Sequence, residues 1–207
     1  MPFTVAGRNL MLNALFGSPI GAPVAFASLH SDAPGESGDY EISGGSPAYA
    51  RQPVAFAAST TGSVTISAPV TFDVPAGAQV AFVGLWTLAV GGSFLGYAPS
   101  NGGSIYGGAA VFAATDIFEC PAHQLVDADR VLLTKLSGAP IPAPATEDAL
   151  YYVTAATANT FKITTTPSGT ALNITLDGRC AFQRVAIDAY STQGTATLNS
   201  CAFSLEG

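Results

Sequence analysis

Charge is the scarcest ingredient of this 207-residue chain: only 10% of its residues are Asp, Glu, Lys or Arg, against about 25% in ordinary soluble domains. Soluble monomers keep a charged skin. Much of this surface is therefore expected either to lie against partners or to be coated with Ser, Thr, Asn and Gly. Positive charge is the scarcer sign. Five arginines and two lysines are spread along a chain of net charge -7. Phosphate binding needs clustered Lys and Arg, so nucleic acid is not an expected partner. Nor is a membrane held through a polybasic anchor. No apolar run reaches the roughly 18 residues of a membrane helix. The start, MPFTVAGRNLMLNALFGSPIGAPVAFA, has some look of a signal peptide, but its only early cation is Arg8, and Asn9, Asn13 and Gly17 interrupt the apolar stretch.

Cysteine is sparse too. Cys120, Cys180 and Cys201 form no CxxC pair, and His30 and His123 lie far apart, so no zinc site is expected. Cys120 and Cys180 flank a segment read below as an insertion. A disulfide at its neck and two buried free thiols both fit, and assembly in a reducing compartment favours the thiols.

Catalytic signatures are missing as well. There is no Gly-x-Ser-x-Gly, and the glycine-rich SNGGSIYGGAA lacks the Gly-Lys-Ser/Thr end of a phosphate loop. His30 stands beside Asp32, and His123 near Asp127 and Asp129, in patterns that ordinary loops also show. Asp39/Glu41 and Glu147/Asp148 supply paired acids, but nothing places them in a cleft, and no EF-hand spacing supports calcium. Trp86 and Tyr97 fit a core as well as a sugar platform. No catalytic residue, cofactor or metal ligand is assigned.

What is present is β vocabulary. Thr4 to Phe16 is the one helix candidate, capped by Thr4 and stopped by Gly17. PVAFASLH then reads as a buried strand, and SDAPGESGD as an acidic loop. AYARQPVAFA carries Pro53, which makes it an edge strand or a bulge. In SVTISAPVTFDVP, Val64, Ile66, Val70, Phe72 and Val74 alternate against Thr65, Ser67, Thr71 and Asp73. AQVAFVGLWTLA reads as a fully buried strand, and Gly91-Gly92 as a hairpin turn. Short, regularly spaced strands of this kind predict a mainly β fold: a β-sandwich or barrel base domain with one N-terminal helix.

Between about Phe112 and Arg184 the texture changes. A charge-richer stretch leads into LYYVTAATANTFKITTTPSGTALNIT, which reads as three short strands. After Arg184 the first texture returns in STQGTATLNSCAFSLEG. The expected organisation is a discontinuous base domain, 1–110 plus 186–207, interrupted by a small inserted β domain, 111–185. Insertion at a hairpin tip costs little, because loop-closure entropy grows slowly with length.

The runs ASLHSDAPGESG, EISGGSPAYARQPVAF and VTFDVPAGAQVAFVGLWTLAVGGSFLGY resemble a family of small virion proteins of tailed bacteriophages, variously labelled tail fibre, minor tail or head decoration proteins. The shared features are Ser-Leu-His followed by Pro-Gly, a Gly-x-x-x-Tyr-x-Arg strand, an FDVPAG turn and a VGLW strand. The middle of the chain is similar to a separate phage module of the form AHGLxxGDxV…YYV…TFxL, with Gln124 and Ala128 standing where that pattern has glycine.

The resemblance implies a non-enzymatic structural protein of the virion, assembled in the cytoplasm of the bacterial host. Its expected partners are the major capsid protein or tail proteins, and other copies of itself, a trimer among the options. The leading expectation is a capsid decoration protein. The alternative is a minor tail or tail fibre protein whose insert binds host carbohydrate, and a surface-polymer hydrolase stands third. Tyr49 and Arg51, placed on one face of an edge strand, and His30 and Asp32 at the loop before it are the candidate subunit contacts, since Tyr and Arg favour interface hot spots. The other reading packs Tyr49 in the core and pairs Arg51 with an acid such as Asp73. Tyr151 and Tyr152 are the candidate binding surface of the insert.

Overall fold

The alternating stretch from Ser63 to Val74 becomes two strands, because Pro69 supplies no N–H to a ladder. β3 (Ser63–Thr65) and β4 (Val70–Val74) take up its two halves. Val64, Phe72 and Val74 are buried, with Ile66 and Val70 packed beside them on the same core. The computed structural model describes residues 25–58, 63–100, 106–136, 139–147 and 149–204. The helix expected over Thr4–Phe16 lies outside these residues. The described elements are all strands.

β1 (Ala25–His30), β2 (Gln52–Val54), β5 (Gln79–Val80), β6 (Phe82–Trp86) and β7 (Phe94–Pro99) come first. β8 (Tyr106–Phe112), β9 (Ile117–Glu119), β10 (Arg130–Lys135), β11 (Leu150–Thr154), β12 (Thr160–Thr164) and β13 (Gly178–Val185) follow, and then β14 (Asp188–Ala189), β15 (Gly194–Leu198) and β16 (Ala202–Ser204).

Four strands form an antiparallel sheet in the order β2-β1-β6-β7. β6 lies inside it and is buried along its whole length. β2 is the edge, where Pro53 opposes Phe26 without breaking an interior ladder. Three two-stranded ladders, β14-β5, β15-β4 and β16-β3, join the returning C-terminal chain to the first half. Sheet and ladders share one apolar core that includes Leu29, Val54, Phe72, Val83 and Leu198.

The six strands β8 to β13 close into a barrel of cyclic order β10-β11-β12-β9-β8-β13. Its interior is filled by alternate residues. Phe118 and Phe161 lie 5.2 Å apart between ring centroids, and Phe161 meets Phe182 edge to face at 5.1 Å. The domain division expected at 110/111 falls within β8. Of the three short strands read in 150–175, two form, β11 and β12. The third stretch is irregular, held by Leu172 N–H on the Ile163 carbonyl and Ile174 N–H on Asp116 Oδ1.

Val131 and Leu133 point into the barrel, while Leu132, between them, points out. Leu132 and Val185 pack there against Ala33, Ala81 and Phe82 of the base. A third, small core thus joins barrel to sheet.

Gln124 and Ala128 adopt φ of 59° and 73°. The turns keep a glycine-like left-handed conformation although the side chains are not glycine. All three cysteines are free thiols. Burial pushes Cys180 up to about 12 and Cys201 to about 11, so both remain protonated and unreactive at neutral pH.

Candidate functional site

The segments singled out by sequence converge on one side of the four-stranded sheet. Alternation along β1 sends Ser28 and His30 to the same face, and β6 lays Gly84 opposite Ser28 and Trp86 opposite Phe26. Trp86 Nε1–H donates to Ser28 Oγ at 3.0 Å. Ser28 Oγ lies 2.7 Å from His30 Nε2, and His30 Nδ1 lies 2.6 Å from the Asp39 carbonyl. A carbonyl only accepts, so the His30 proton is on Nδ1 and Nε2 receives the serine hydroxyl. Every polar group in this buried relay is satisfied. Gly84 makes room for it: a Cβ there would stand 2.5 Å from His30 Nε2 and 2.6 Å from Ser28 Oγ.

Arg51 covers the relay from outside. Its Cζ sits 3.5 Å from the Trp86 ring centroid. Nε and Nη2 bind both oxygens of Glu41 in a fork, at 2.9 and 2.7 Å. Nη1 donates to the carbonyls of Leu88 and Gly91 at 3.2 and 2.7 Å. Tyr49 lies stacked on Phe72, its hydroxyl accepting the Leu29 N–H at 2.8 Å and donating to Glu41 at 3.3 Å. Burial raises the Tyr49 phenol well above its ordinary range.

Tyr49 and Arg51 are therefore turned inward rather than displayed as an open contact pair. Tyr49 packs on the core, and the acid that pairs with Arg51 is Glu41; Asp73 instead faces Thr195 on β15. His30 is fully buried. Asp32 caps its own loop, its Oδ1 accepting the Ala33 N–H at 2.7 Å. The three segments 28–30, 38–51 and 84–94 are thus latched together. What the latch presents outward is the β6–β7 hairpin tip, where Leu88 is 54% and Val90 87% exposed.

Burial lowers the His30 pKa below 6.5, and the Arg51 charge adds to that; the Asp39 carbonyl and the Glu41 carboxylate oppose it without cancelling it. The folded state therefore holds its proton less tightly than the unfolded chain. The contribution of His30 is complete above pH 6.5 and declines as pH falls from there toward its lower folded value. NMR titration of the ring protons is expected to show a midpoint below 6.5. A midpoint at or above that value would contradict the relay.

His123 is spent on backbone. Its Nδ1 accepts the Leu125 N–H at 2.9 Å, and Nε2 donates to the Thr160 carbonyl at 3.1 Å. Asp127 holds the Ala156 N–H, and Asp129 pairs with Arg184 at 2.8 Å. Among the described residues, no three His, Cys, Asp or Glu side chains gather as a metal site.

Where barrel meets base, two clefts open. One, of about 550 Å³, is walled by Asp32, Tyr40, Gln79 and Arg130. The other, of about 500 Å³, shares Gln79 and Arg130 and adds Tyr152 and the Asp129–Arg184 pair. Of the two insert tyrosines, Tyr151 is buried, its hydroxyl accepting the Thr146 N–H at 2.9 Å. Tyr152 faces out; its hydroxyl takes an Arg130 Nη2–H and its ring lies under the guanidinium. Tyr40, Gln79 and Arg130 were not among the residues singled out from sequence. They come from three distant segments, and no local motif joins them.

Residues 2–125 match the family described as Podophage GP4 fiber I protein gp80. That span is more than half of the chain. The chain belongs to this phage fibre family. No curated protein matches it. The whole latch, from Ser28 to Phe94, lies inside the matched span, whereas the barrel from β10 onward lies beyond it. Membership makes this a structural component of a virion. The word fiber in the family's description favours the tail-fibre expectation over capsid decoration, which had been the leading one. The resemblance of the middle segment to a separate phage module lies mostly outside the match and rests on its sequence alone.

Proposed function

We propose that this fibre-family protein is a non-catalytic component of the phage tail fibre or its attachment, built as a rigid base that carries a binding barrel. The observation that carries the reading is the fibre-family match over residues 2–125. The structure supplies a reason for such a role. The latch spends its polar groups internally and holds an apolar hairpin tip, Leu88 and Val90, in a fixed position. Exposed apolar side chains on a rigid support suit contact with a neighbouring subunit, whether another copy or a tail protein. The contact role expected of Tyr49 and Arg51 thus passes to the tip they secure. The barrel, inserted between β7 and β14, is the unit free to face the host.

Gold-labelled antibody microscopy of intact virions, with quantitative mass spectrometry against the major capsid protein, tests the location. Label is expected at the tail, with a copy number a small fraction of the capsid protein's. Label spread over the head at near-stoichiometric ratio would restore capsid decoration.

A further inference from the structure

We propose that the double cleft between base and barrel binds an acidic saccharide, with Arg130 taking the sugar carboxylate. The proposal rests on the fibre reading above and names the ligand class that such a fibre protein would meet on a host surface.

Arg130 is the first observation. Its Nη1 is buried and has no hydrogen-bond partner among the described residues. Buried N–H groups are nearly always paired, and each exception asks for a reason. The guanidinium also has no carboxylate: the three ion pairs among the described residues use Arg51, Lys135 and Arg184. Nη1 is itself enclosed, so an anion meets the guanidinium where it lines the clefts. In a chain of net charge -7, a cation on the wall of both clefts with no carboxylate partner among the described residues is set to receive one. A planar guanidinium matches a carboxylate in geometry.

Tyr40 is the second. It is 61% exposed on the rim of the first cleft, at φ 58°. A bulky residue in the left-handed region is strained, and such strain collects at ligand sites. Its ring offers a flat apolar face with a polar tip, a surface on which the C–H face of a pyranose packs.

The remaining wall decides between saccharide and simple anion. Asp32 and the Gln79 amide bring acceptors to the first cleft. Free phosphate would gain nothing from the ring and would leave the Asp32 and Gln79 acceptors without hydroxyl donors. A sugar acid has both what Arg130 lacks and what Asp32 and Gln79 accept, a carboxylate and a set of hydroxyl donors. Tyr152 lines the adjoining cleft and holds the Arg130 guanidinium against its ring, which fixes the cation between the two clefts. Both volumes fall in the range of ordinary ligand sites.

The test uses the full chain. A glycan array carrying uronic- and sialic-acid oligosaccharides beside neutral ones identifies binders. Calorimetric titration then compares trigalacturonate with its methyl-esterified form. Retention of acidic glycans is expected, with loss of affinity on esterification. Arg130→Gln is expected to weaken binding about tenfold or more and to erase the preference for the free acid. Tyr40→Ala, which removes an exposed ring and leaves folding intact, is expected to weaken acid and ester alike. Arg179→Gln, on an exposed part of β13, leaves binding unchanged. Failure to retain any acidic glycan would overturn the proposal, as would binding indifferent to both Arg130→Gln and Tyr40→Ala. The two readings fail separately. Gold label at the tail with a silent array sinks the cleft and keeps the fibre; label on the head with a positive array does the reverse.

Discussion

Gly84→Ala is expected to lower the melting temperature by about 10 °C, the equivalent of about 3 kcal/mol in a domain of this size. The added methyl has nowhere to go. It would stand 2.5 Å from His30 Nε2, 2.6 Å from Ser28 Oγ and 2.7 Å from Phe94 Cε2. These are not loose side-chain ends. Ser28 is fixed by Trp86 Nε1, His30 by the Asp39 carbonyl, and Phe94 by its contact with Trp86 at 5.0 Å between centroids. Moving any of them leaves a buried donor or acceptor unpaired. Gly108→Ala is the matched control on β8. A Cβ there meets only Leu136 Cδ1, at 3.7 Å, and stability is expected to change by less than about 0.5 kcal/mol. Calorimetric melting of both variants decides. Equal melting points for Gly84→Ala and the unsubstituted protein would refute the account of the latch.

Arg51→Met is expected to cost about 3 kcal/mol in urea denaturation. The thioether still covers Trp86, but the fork to Glu41 and both carbonyl bonds are lost. Glu41 is left three-quarters enclosed, its side chain 21% exposed, with the Tyr49 hydroxyl as its remaining donor among the described residues. Much of the cost is that stranded carboxylate. Glu41→Gln in the Arg51→Met background is therefore expected to recover about 1 kcal/mol, a non-additivity that a double-mutant cycle measures. Arg51→Lys keeps the charge but cannot serve two carboxylate oxygens and two carbonyls while lying flat on an indole, and it should fall between. Simple additivity of the Arg51 and Glu41 substitutions would show that the pair is not coupled as drawn.

The strands were readable where burial is one-sided. Val70, Phe72 and Val74 alternate because β4 has a core on one face and solvent on the other. Phe82 to Trp86 are uniformly apolar because β6 has neighbours on both sides. Pro53 marked an edge because an interior strand cannot lose a donor. Barrel closure was not readable, since β8 meets β13 across most of the insert and periodicity carries no partner. Nor was the acid paired with Arg51: Asp73 and Glu41 look alike in sequence, and only the fold of the 38–51 loop brings Glu41 to the guanidinium. The adjacent pair Tyr151-Tyr152 did carry a usable signal. Successive residues of a strand face opposite ways, so just one of the two could look outward. The clefts were invisible in sequence because Tyr40, Gln79 and Arg130 are joined only by the packing of barrel on base.

The way the barrel closes also sets how it bears load. The chain enters it on β8 and leaves on β13, and these two strands are hydrogen-bonded neighbours, with Gln183 opposite Tyr106. Tension drawn along the base would cross from one to the other through that ladder without running along the four strands between them. Strands β9 to β12 lie beside the direct path, whereas the second cleft takes Arg184 and Val185 from β13 itself.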